Sequence, residues 1–156
     1  MELRWGILGT GLIAKRFAQG LSQVYRHKLQ AVGSRTLEGA RRFTEQFSAR
    51  CYDSYQAMLE DPLVDVVYVA LPHHLHAEWT IKAAQAGKHI LCEKPFALNA
   101  AEAQHALDEV SNHDVFFMEA FMVRCHPQTR EMLRLVESGA IGRVQRVHAE
   151  FGCHAS

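Results

Sequence analysis

The N-terminal segment places an apolar run directly before a glycine-rich turn, and this order constrains the fold more than any other feature of the chain. The run Leu3–Leu8 predicts a strand, and the pattern Gly9-x-Gly11-x-x-Ala14 then leads into a helix. Small residues at these positions permit a tight turn, close approach of a phosphate to the backbone, and close packing of the helix on the strand. The helix N-terminus adds N–H donors and partial positive charge. The segment therefore predicts a phosphate-binding unit, with an ordinary glycine-rich turn as the alternative.

Apolar strands alternate with amphipathic helices along most of the chain. Further strands are predicted at 27–33, 50–52, 64–71, 89–92 and 115–121, and helices at 13–24, 37–47, 55–60, 76–86 and 100–110. The run at 64–71 is nearly continuous and rich in β-branched residues, as expected for a strand buried on both faces of a parallel sheet. The alternation predicts an α/β fold with a doubly wound parallel sheet and right-handed crossovers.

The pattern changes near residue 122. Residues 128–138 predict a helix, and residues 144–151 predict a strand whose alternate residues are apolar, as in an antiparallel sheet with one covered face. We therefore expect a nucleotide-binding domain at 1–122 and the first helix and strand of an incomplete α+β domain at 123–156. The predicted strand has no sequence neighbour to pair with, which predicts self-association into homo-oligomers through its open edge.

Composition excludes several classes of function. The 17 Lys and Arg residues balance the 17 Asp and Glu residues, so no net field favours nucleic acid or an anionic membrane. No apolar run is long enough to span a bilayer, and the N-terminus lacks the layout of a signal peptide, so a cytoplasmic location is expected. The four cysteines show no C-x-x-C pair, and the ten histidines lack the paired spacing of structural zinc, so no metal site is predicted.

The choice of cofactor is predicted at the end of the second strand. An acidic residue there, about 20 residues after the glycines, would bind the ribose hydroxyls of NAD. This chain has Gly33-Ser34-Arg35-Thr36 at that place. Ser34 and Thr36 can donate hydrogen bonds to a 2′-phosphate and Arg35 can pair with it, so the segment favours NADP over NAD. The alternative is that Arg35 is only a solvated residue at the entry of the next helix.

Two further segments follow predicted strands, where open α/β sheets place their ligand crevice. They are Glu93-Lys94-Pro95 and the stretch from Leu71 to His76. Lys94 would present a compact cation with three donors to a ribose or substrate hydroxyl, with an ordinary surface lysine as the alternative. Of the three histidines in the second stretch, one is expected to reach the cofactor.

Together these motifs resemble the glucose–fructose oxidoreductase/inositol dehydrogenase/rhizopine catabolism (Gfo/Idh/MocA) family. The resemblance rests on GILGTGLIA at 6–14, AVGSR at 31–35, LPHHLH at 71–76, CEKPFALN at 92–99, MEAFMVRCHP at 118–127 and SGAIGRVQRVHAEFG at 138–152. The resemblance covers nearly the whole chain. The motif residues resemble most the branch that contains dihydrodiol dehydrogenases and NADP-linked xylose dehydrogenases. It implies a Rossmann domain followed by the truncated start of an α+β C-terminal domain for substrate binding and dimerisation.

The resemblance also implies a role for individual residues. The residues that would surround the pyrophosphate are Gly9, Thr10, Gly11, Leu12 and Ile13. Those that would hold the adenosine 2′-phosphate are Ser34 and Arg35. The cofactor groove would be lined by Leu71, Pro72 and His76. The nicotinamide end would be contacted by Glu93, Lys94 and Arg124. His73 stands where many members of the family carry Asn, which leaves that contact open.

The implied activity is hydride transfer between NADP(H) and a sugar-like or cyclic alcohol or its carbonyl, with a polyol, sugar or diol as substrate. The family's second half carries a Gly-Gly-x-x-x-Asp-x-Gly-x-(His/Tyr) segment that supplies an aspartate and a proton-transferring residue, and this sequence has no such segment. Lys94 is therefore the candidate catalytic residue. One alternative is a truncated NADP-binding protein without turnover. Another is a non-dehydrogenase such as a methyltransferase, which the Glu-Lys-Pro turn and the basic Ser34-Arg35 segment argue against.

Overall fold

The computed structural model describes residues 2–150 and 152. Its strands are Leu3–Leu8 (β1), His27–Gly33 (β2), Arg50–Tyr52 (β3), Val66–Val69 (β4), His89–Cys92 (β5) and Phe117–Glu119 (β6). Its α-helices are Leu12–Leu21 (α1), Leu37–Thr44 (α2), Tyr55–Leu59 (α3), His76–Gln85 (α4), Ala100–Ser111 (α5), Met122–Cys125 (α6) and Pro127–Glu137 (α7). No helix in this part of the chain is both long and apolar enough to cross a membrane.

The six strands form one sheet in the order β3-β2-β1-β4-β5-β6, and each neighbouring pair is parallel. The chain moves outward from β1 to β3 and then returns to the other side of β1 to build β4, β5 and β6. Connections therefore leave β1 and β4 in opposite directions, which opens a crevice at their carboxyl ends where such sheets bind ligands. The doubly wound parallel sheet predicted from the alternation of elements is confirmed.

The sheet is buried on both faces, as the side chains of β4 illustrate. Val67 and Val69 face a core shared with α3, α4 and α5, whereas Tyr68 faces a core shared with α1 and α2. Ala14 and Ala18 bring α1 close to the sheet because they add so little side-chain volume. The two-sided burial explains why β4 is a continuous apolar run.

The strand predicted at 64–71 is paired only over Val66–Val69. Val64, Ala70 and Leu71 are as well buried as the strand itself, with exposed fractions of 2%, 8% and 7%. However, the Val64 N–H donates to the carbonyl of Asp61 in a turn and not to a neighbouring strand. The apolar run therefore predicted burial correctly and overstated the length of the strand.

Residues from Phe121 onward belong to a second compact unit, and those up to Ala120 belong to the first. In the second unit, α7 begins at Pro127, and the His126 ring accepts a hydrogen bond from the Gln128 N–H at 3.2 Å. The side chains of α7 and the following turn leave a large part of their apolar surface exposed, including Met132 and Ile141. Assignment of the two parts as domains at 1–122 and 123–156 stays a prediction.

The strand expected at 144–151 is not formed. Residues 144–150 have no regular secondary structure, and Phe151 lies outside the described residues. A β-strand needs a partner for its N–H and C=O groups, and residues 2–150 and 152 supply none to this segment. Association of two chains through the segment would supply one, and it stays a prediction.

An ion pair ties the start of β1 to the residue before β4. The Arg4 guanidinium donates to both carboxylate oxygens of Asp65 at 2.6 and 2.9 Å, and the Arg4 backbone N–H adds a third bond at 2.9 Å. These bonds hold the pKa of Asp65 below its ordinary value of 3.8, against the opposing effect of burial. A carboxyl group with a lowered pKa stabilises the fold above its unfolded-state pKa and loses that contribution as the pH falls through the folded-state value.

We therefore expect the free energy of unfolding of an Asp65→Asn chain to fall less between about pH 6 and about pH 3 than that of the unaltered chain. Urea titrations across this range measure the difference. Glu38→Gln, which removes a solvent-exposed ion pair with Arg42, serves as the control and should leave the pH dependence close to that of the unaltered chain. Equal pH dependence in Asp65→Asn and the unaltered chain would contradict the assignment.

Candidate functional site

Gly9 forms the tight part of the turn between β1 and α1, at the carboxyl edge of the sheet. Its φ angle is +100°, and a Cβ atom added there would lie 2.5 Å from the carbonyl oxygen of Ala70. The Gly9 N–H donates to the carbonyl of Gly33 at the end of β2 at 3.0 Å. Because the backbone is wedged between the ends of β2 and β4, only glycine fits at this position.

Gly11 is the N-cap residue of α1, and it leaves the helix N-terminus open. No side chain caps this helix, and its first turn holds no acidic residue. A Cβ atom added at Gly11 would meet nothing within 4 Å. By contrast, the helices that follow β2 and β3, and also α5, are capped by the side-chain oxygens of Thr36, Ser54 and Asn99. The first turn of α1 can therefore offer its N–H groups to an anion without competition from a side-chain cap.

The end of β2 places Ser34 beside the first turn of α2. Ser34 is buried, and its N–H donates to the carbonyl of Tyr52 at 3.1 Å. A Cβ atom at Gly39 would lie 2.8 Å from the Ser34 hydroxyl oxygen, so the glycine leaves that hydroxyl its space. The Thr36 hydroxyl accepts from the Gly39 N–H at 3.1 Å and caps α2, a role that the sequence interpretation missed. Arg35, between them, is exposed to solvent.

A cleft of about 290 Å³ separates the glycine turn from α2. Its lining residues are Thr10, Lys15, Gly39, Arg42, Phe43 and Gln46. Lys15 lies on the first turns of α1, four residues after Gly11, and its side chain is half-buried. The sequence interpretation did not single it out, although its position in the helix that follows the glycine turn was a usable signal. Lys15 gives this side of the turn a positive charge that favours an anionic ligand, whereas Arg42 is paired with the Glu38 carboxylate at 2.7 Å.

Glu93 and Lys94 follow β5 and point in different directions. Glu93 is buried, and its carboxylate accepts from the Tyr68 hydroxyl at 2.5 Å and from the Lys94 N–H at 3.2 Å. Burial, followed by the hydrogen bond to Glu93, raises the pKa of Tyr68 well above its ordinary value, so the hydroxyl remains a donor. Lys94 is exposed, and the peptide bond to Pro95 is cis. The arrangement fixes the carboxylate and leaves the lysine available to a ligand.

His76, at the first position of α4, joins the turns that follow β4 and β5. Its Nδ1 lies 2.7 Å from the carbonyl oxygen of Pro95, and its Nε2 lies 2.7 Å from that of Leu71. The residue is fully buried and does not reach the surface, whereas Pro72 and His73 are exposed. A direct contact of His76 with a cofactor stays a prediction, because in this structure the ring contacts backbone carbonyls.

The carboxyl edge thus collects most of the residues that the motifs pointed to. The glycine turn follows β1, Ser34 and Arg35 follow β2, Leu71 follows β4, and Lys94 follows β5. Arg124 lies on α6 in the second unit, and its contact with the nicotinamide end stays a prediction. Within residues 2–150 and 152, no three His, Cys, Asp or Glu side chains are grouped to hold a metal ion.

These features together define a class of protein. The strand order, the glycine turn at the point where the order reverses, and the uncapped helix that follows it are those of a dinucleotide-binding Rossmann domain. A diphosphate bound in the crevice of such a domain would meet the backbone of Gly11 and the N-terminus of α1.

Residues 3–121 match the sequence profile of the oxidoreductase family Gfo/Idh/MocA, NAD-binding Rossmann fold, and the chain belongs to this family. It is 38% identical over 155 residues to trans-1,2-dihydrobenzene-1,2-diol dehydrogenase of Xenopus tropicalis, covering 97% of this chain and 47% of that protein. It is 36% identical over 167 residues to D-xylose 1-dehydrogenase (NADP(+)) of Hypocrea jecorina, covering 99% and 43%. The chain therefore spans less than half the length of these relatives.

Solved structures give the same result. A 3-ketoreductase from Actinomadura kijaniata in complex with NADP superposes with a TM-score of 0.83 at 38% identity, over 91% of this chain and 46% of that one. A scyllo-inositol dehydrogenase from Lactobacillus casei with bound NAD(H) and scyllo-inositol superposes with a TM-score of 0.85 at 26% identity, over 91% and 43%. The family membership and the Rossmann fold expected from the motifs are confirmed.

Proposed function

We propose that this chain is the cofactor-binding part of an NADP-dependent oxidoreductase that transfers hydride between NADP(H) and a sugar-like or cyclic alcohol or its carbonyl. The observation that carries the proposal is the open N-terminus of α1 at Gly11, next to the basic residues of α1 and α2. The relatives named above are dehydrogenases or reductases of small alcohols and ketones, which supports a polyol, sugar or diol as substrate. The cytoplasmic location stays a prediction.

NADP is favoured over NAD by the residues at the end of β2. Ser34 and Arg35 occupy the place where an acidic residue would bind the ribose hydroxyls of NAD, and Lys15 adds positive charge nearby. The xylose dehydrogenase and the ketoreductase are described with NADP, and the inositol dehydrogenase with NAD(H). NAD is therefore the alternative that the test must address.

The bound nicotinamide would supply the hydride chemistry. The turn at Gly9, Thr10 and Gly11 would bind the diphosphate together with the N-terminus of α1. Lys94 would hold the nicotinamide ribose and the substrate hydroxyl, and its ammonium would be the proton carrier that this chain itself offers. Glu93 would keep the orientation that Tyr68 gives it.

A second candidate function is an NADP-binding protein that does not turn over substrate. Fluorescence titration with NADPH, NADH and S-adenosylmethionine tests the cofactor site. Tightest binding of NADPH supports both candidates, and preference for S-adenosylmethionine would exclude them. Oxidation of NADPH with carbonyl substrates then separates the enzyme from the binding protein.

Arg35→Asp should weaken NADPH binding far more than NADH binding. The new carboxylate repels a 2′-phosphate but can hydrogen-bond to the two ribose hydroxyls of NADH. We expect the dissociation constant for NADPH to rise by about 10- to 100-fold, from the loss of one charge-assisted contact and the gain of a repulsion. Arg16→Asp, an exposed charge reversal on α1, is the matched control and should change neither constant appreciably. Equal losses for the two cofactors in Arg35→Asp would contradict the 2′-phosphate assignment.

A further inference from the structure

The turn after β5 is held in place from β6 by a carboxylate to which the sequence analysis assigned no role. The Oε1 atom of Glu119 accepts a hydrogen bond from the backbone N–H of Phe96 at 2.8 Å. Glu119 lies at the last position of β6, paired in register with Cys92, the last residue of β5. The carboxylate therefore reaches across the carboxyl end of β5 to the turn that carries Lys94.

Every residue of this turn except Lys94 is anchored by a side chain from another element. Glu93 is held by the Tyr68 hydroxyl, the Pro95 carbonyl by His76, and the Phe96 N–H by Glu119. These anchors come from β4, α4 and β6 respectively. The side chain of Lys94 is exposed to solvent. These three anchors surround one exposed ammonium group. They fix the backbone that carries it, and a group that must meet a ligand in one geometry needs such a fixed backbone.

A glutamate is an unfavourable choice at this position on packing grounds alone. β6 is a strand whose neighbours are apolar, and glutamate is depleted in strands. A hydrogen bond from a backbone N–H to a charged acceptor is stronger than one to a neutral acceptor, which gives the carboxylate a specific use here.

We propose that Glu119 is a positioning residue, which fixes the backbone of the turn through the Phe96 N–H so that Lys94 meets the nicotinamide ribose and the substrate hydroxyl. This inference rests on the proposed function, because it assigns Lys94 to the nicotinamide half of NADP(H). The proposal also makes different predictions for the two halves of the cofactor. Glu119 should affect binding of the nicotinamide half and should not affect binding of the adenosine half.

Titration with two ligands tests the separation. NADPH carries both halves, whereas adenosine 2′,5′-bisphosphate carries the adenosine half without the nicotinamide ribose. In Glu119→Ala, the dissociation constant for NADPH should rise by about five- to tenfold, and that for adenosine 2′,5′-bisphosphate should stay unchanged. Glu119→Gln retains an oxygen acceptor but not the charge, so its dissociation constant for NADPH should lie between those of the unaltered chain and of Glu119→Ala. Glu119→Leu fills the same volume and repeats the test if the alanine variant does not fold.

Glu102→Ala is the matched control. The Glu102 carboxylate accepts from the backbone N–H of Leu98 at 2.7 Å, the same kind of bond two residues further along the same segment. Its loss should affect stability and leave both dissociation constants unchanged. The control separates removal of a carboxylate-to-backbone bond in general from removal of the bond next to Lys94.

Several results would overturn the proposal. Unchanged NADPH binding in Glu119→Ala, an equal loss for both ligands, or a Glu119→Gln chain as weak as the alanine variant would each do so. Equal affinity of the unaltered chain for NADPH and adenosine 2′,5′-bisphosphate would also overturn it and leave the proposed cofactor site standing. Absence of binding of both ligands to the unaltered chain would instead remove the proposed function itself.

Discussion

A Gly9→Ala chain should unfold about 6–12 °C below the unaltered chain, a loss of about 3 kcal/mol. The methyl group would lie 2.5 Å from the carbonyl oxygen of Ala70, which belongs to the backbone and cannot rotate away, and the φ angle of +100° is unfavourable for any side chain. The only relief is a shift of the turn away from the end of β4. Thermal unfolding followed by circular dichroism measures the effect.

Gly11→Ala is the matched substitution two residues later, and it should separate folding from binding. Its methyl group would point into open space, so the cost to stability should be below about 1 kcal/mol. However, the same space is where the diphosphate would approach the backbone, and the dissociation constant for NADPH should rise by at least about tenfold.

The pair of glycine variants can contradict the site in two ways. A Gly9→Ala chain as stable as the unaltered one would show that the contact with Ala70 is not tight. A Gly11→Ala chain that binds NADPH with unchanged affinity would show that the diphosphate does not bind at the N-terminus of α1.

His76→Leu should produce the second large effect. The ring is fully buried and lies 2.7 Å from two carbonyl oxygens, those of Leu71 and Pro95. Leucine fills much of the volume but offers no donor, and a buried carbonyl without a partner costs about 1–3 kcal/mol. We expect a loss of about 3 kcal/mol in the free energy of unfolding, measured by urea titration, together with weaker NADPH binding because the turns after β4 and β5 lose their link.

His74→Leu is the control for the histidine variant. His74 is exposed and lies two residues before His76, so the same substitution there should change the free energy of unfolding by no more than about 0.5 kcal/mol. Similar stability losses in the two leucine variants would show that the contacts of the buried ring do not stabilise the fold. Unchanged NADPH binding in a destabilised His76→Leu chain would mean that the link between the turns is not needed at the cofactor.

The parallel sheet could be predicted from the sequence because strands alternate with amphipathic helices, and because the central strand β4, which is buried on both faces, is apolar along its whole length. The bounds predicted for β1, β2, β3 and β5 agree with the structure, and β4 is shorter only because buried turn residues continue its apolar run. The segment at 144–151 shows the opposite case. Alternation of apolar residues there indicates a face that could be covered, but the formation of a strand depends on a partner that the local sequence does not specify.

The anchors of the Lys94 turn could not be predicted in the same way. Tyr68, His76 and Glu119 are distant from that turn in sequence, and each acts across the sheet or from a neighbouring helix. A weak signal was present, because a glutamate stands at the end of β6, next to the strand that Glu93 follows. The partner of this glutamate is a backbone N–H, which every residue except proline carries. The sequence therefore gives no sign of the partner, and only the structure identifies it.

The tight packing of Gly9 against the end of β4 has a consequence for the order in which the parts of the molecule fold. The carbonyl that closes on Gly9 belongs to Ala70, so a nascent chain that has not yet produced β4 has a glycine turn but no rigid phosphate cradle. Long-range pairing of this kind comes late in folding, since the entropy of closing the intervening loop must first be overcome. A ligand that binds only the finished cradle then stabilises it by mass action, by about 2.7 kcal/mol at a concentration 100 times its dissociation constant. The stability of the finished sheet would therefore rise with the concentration of the nucleotide that the cradle binds.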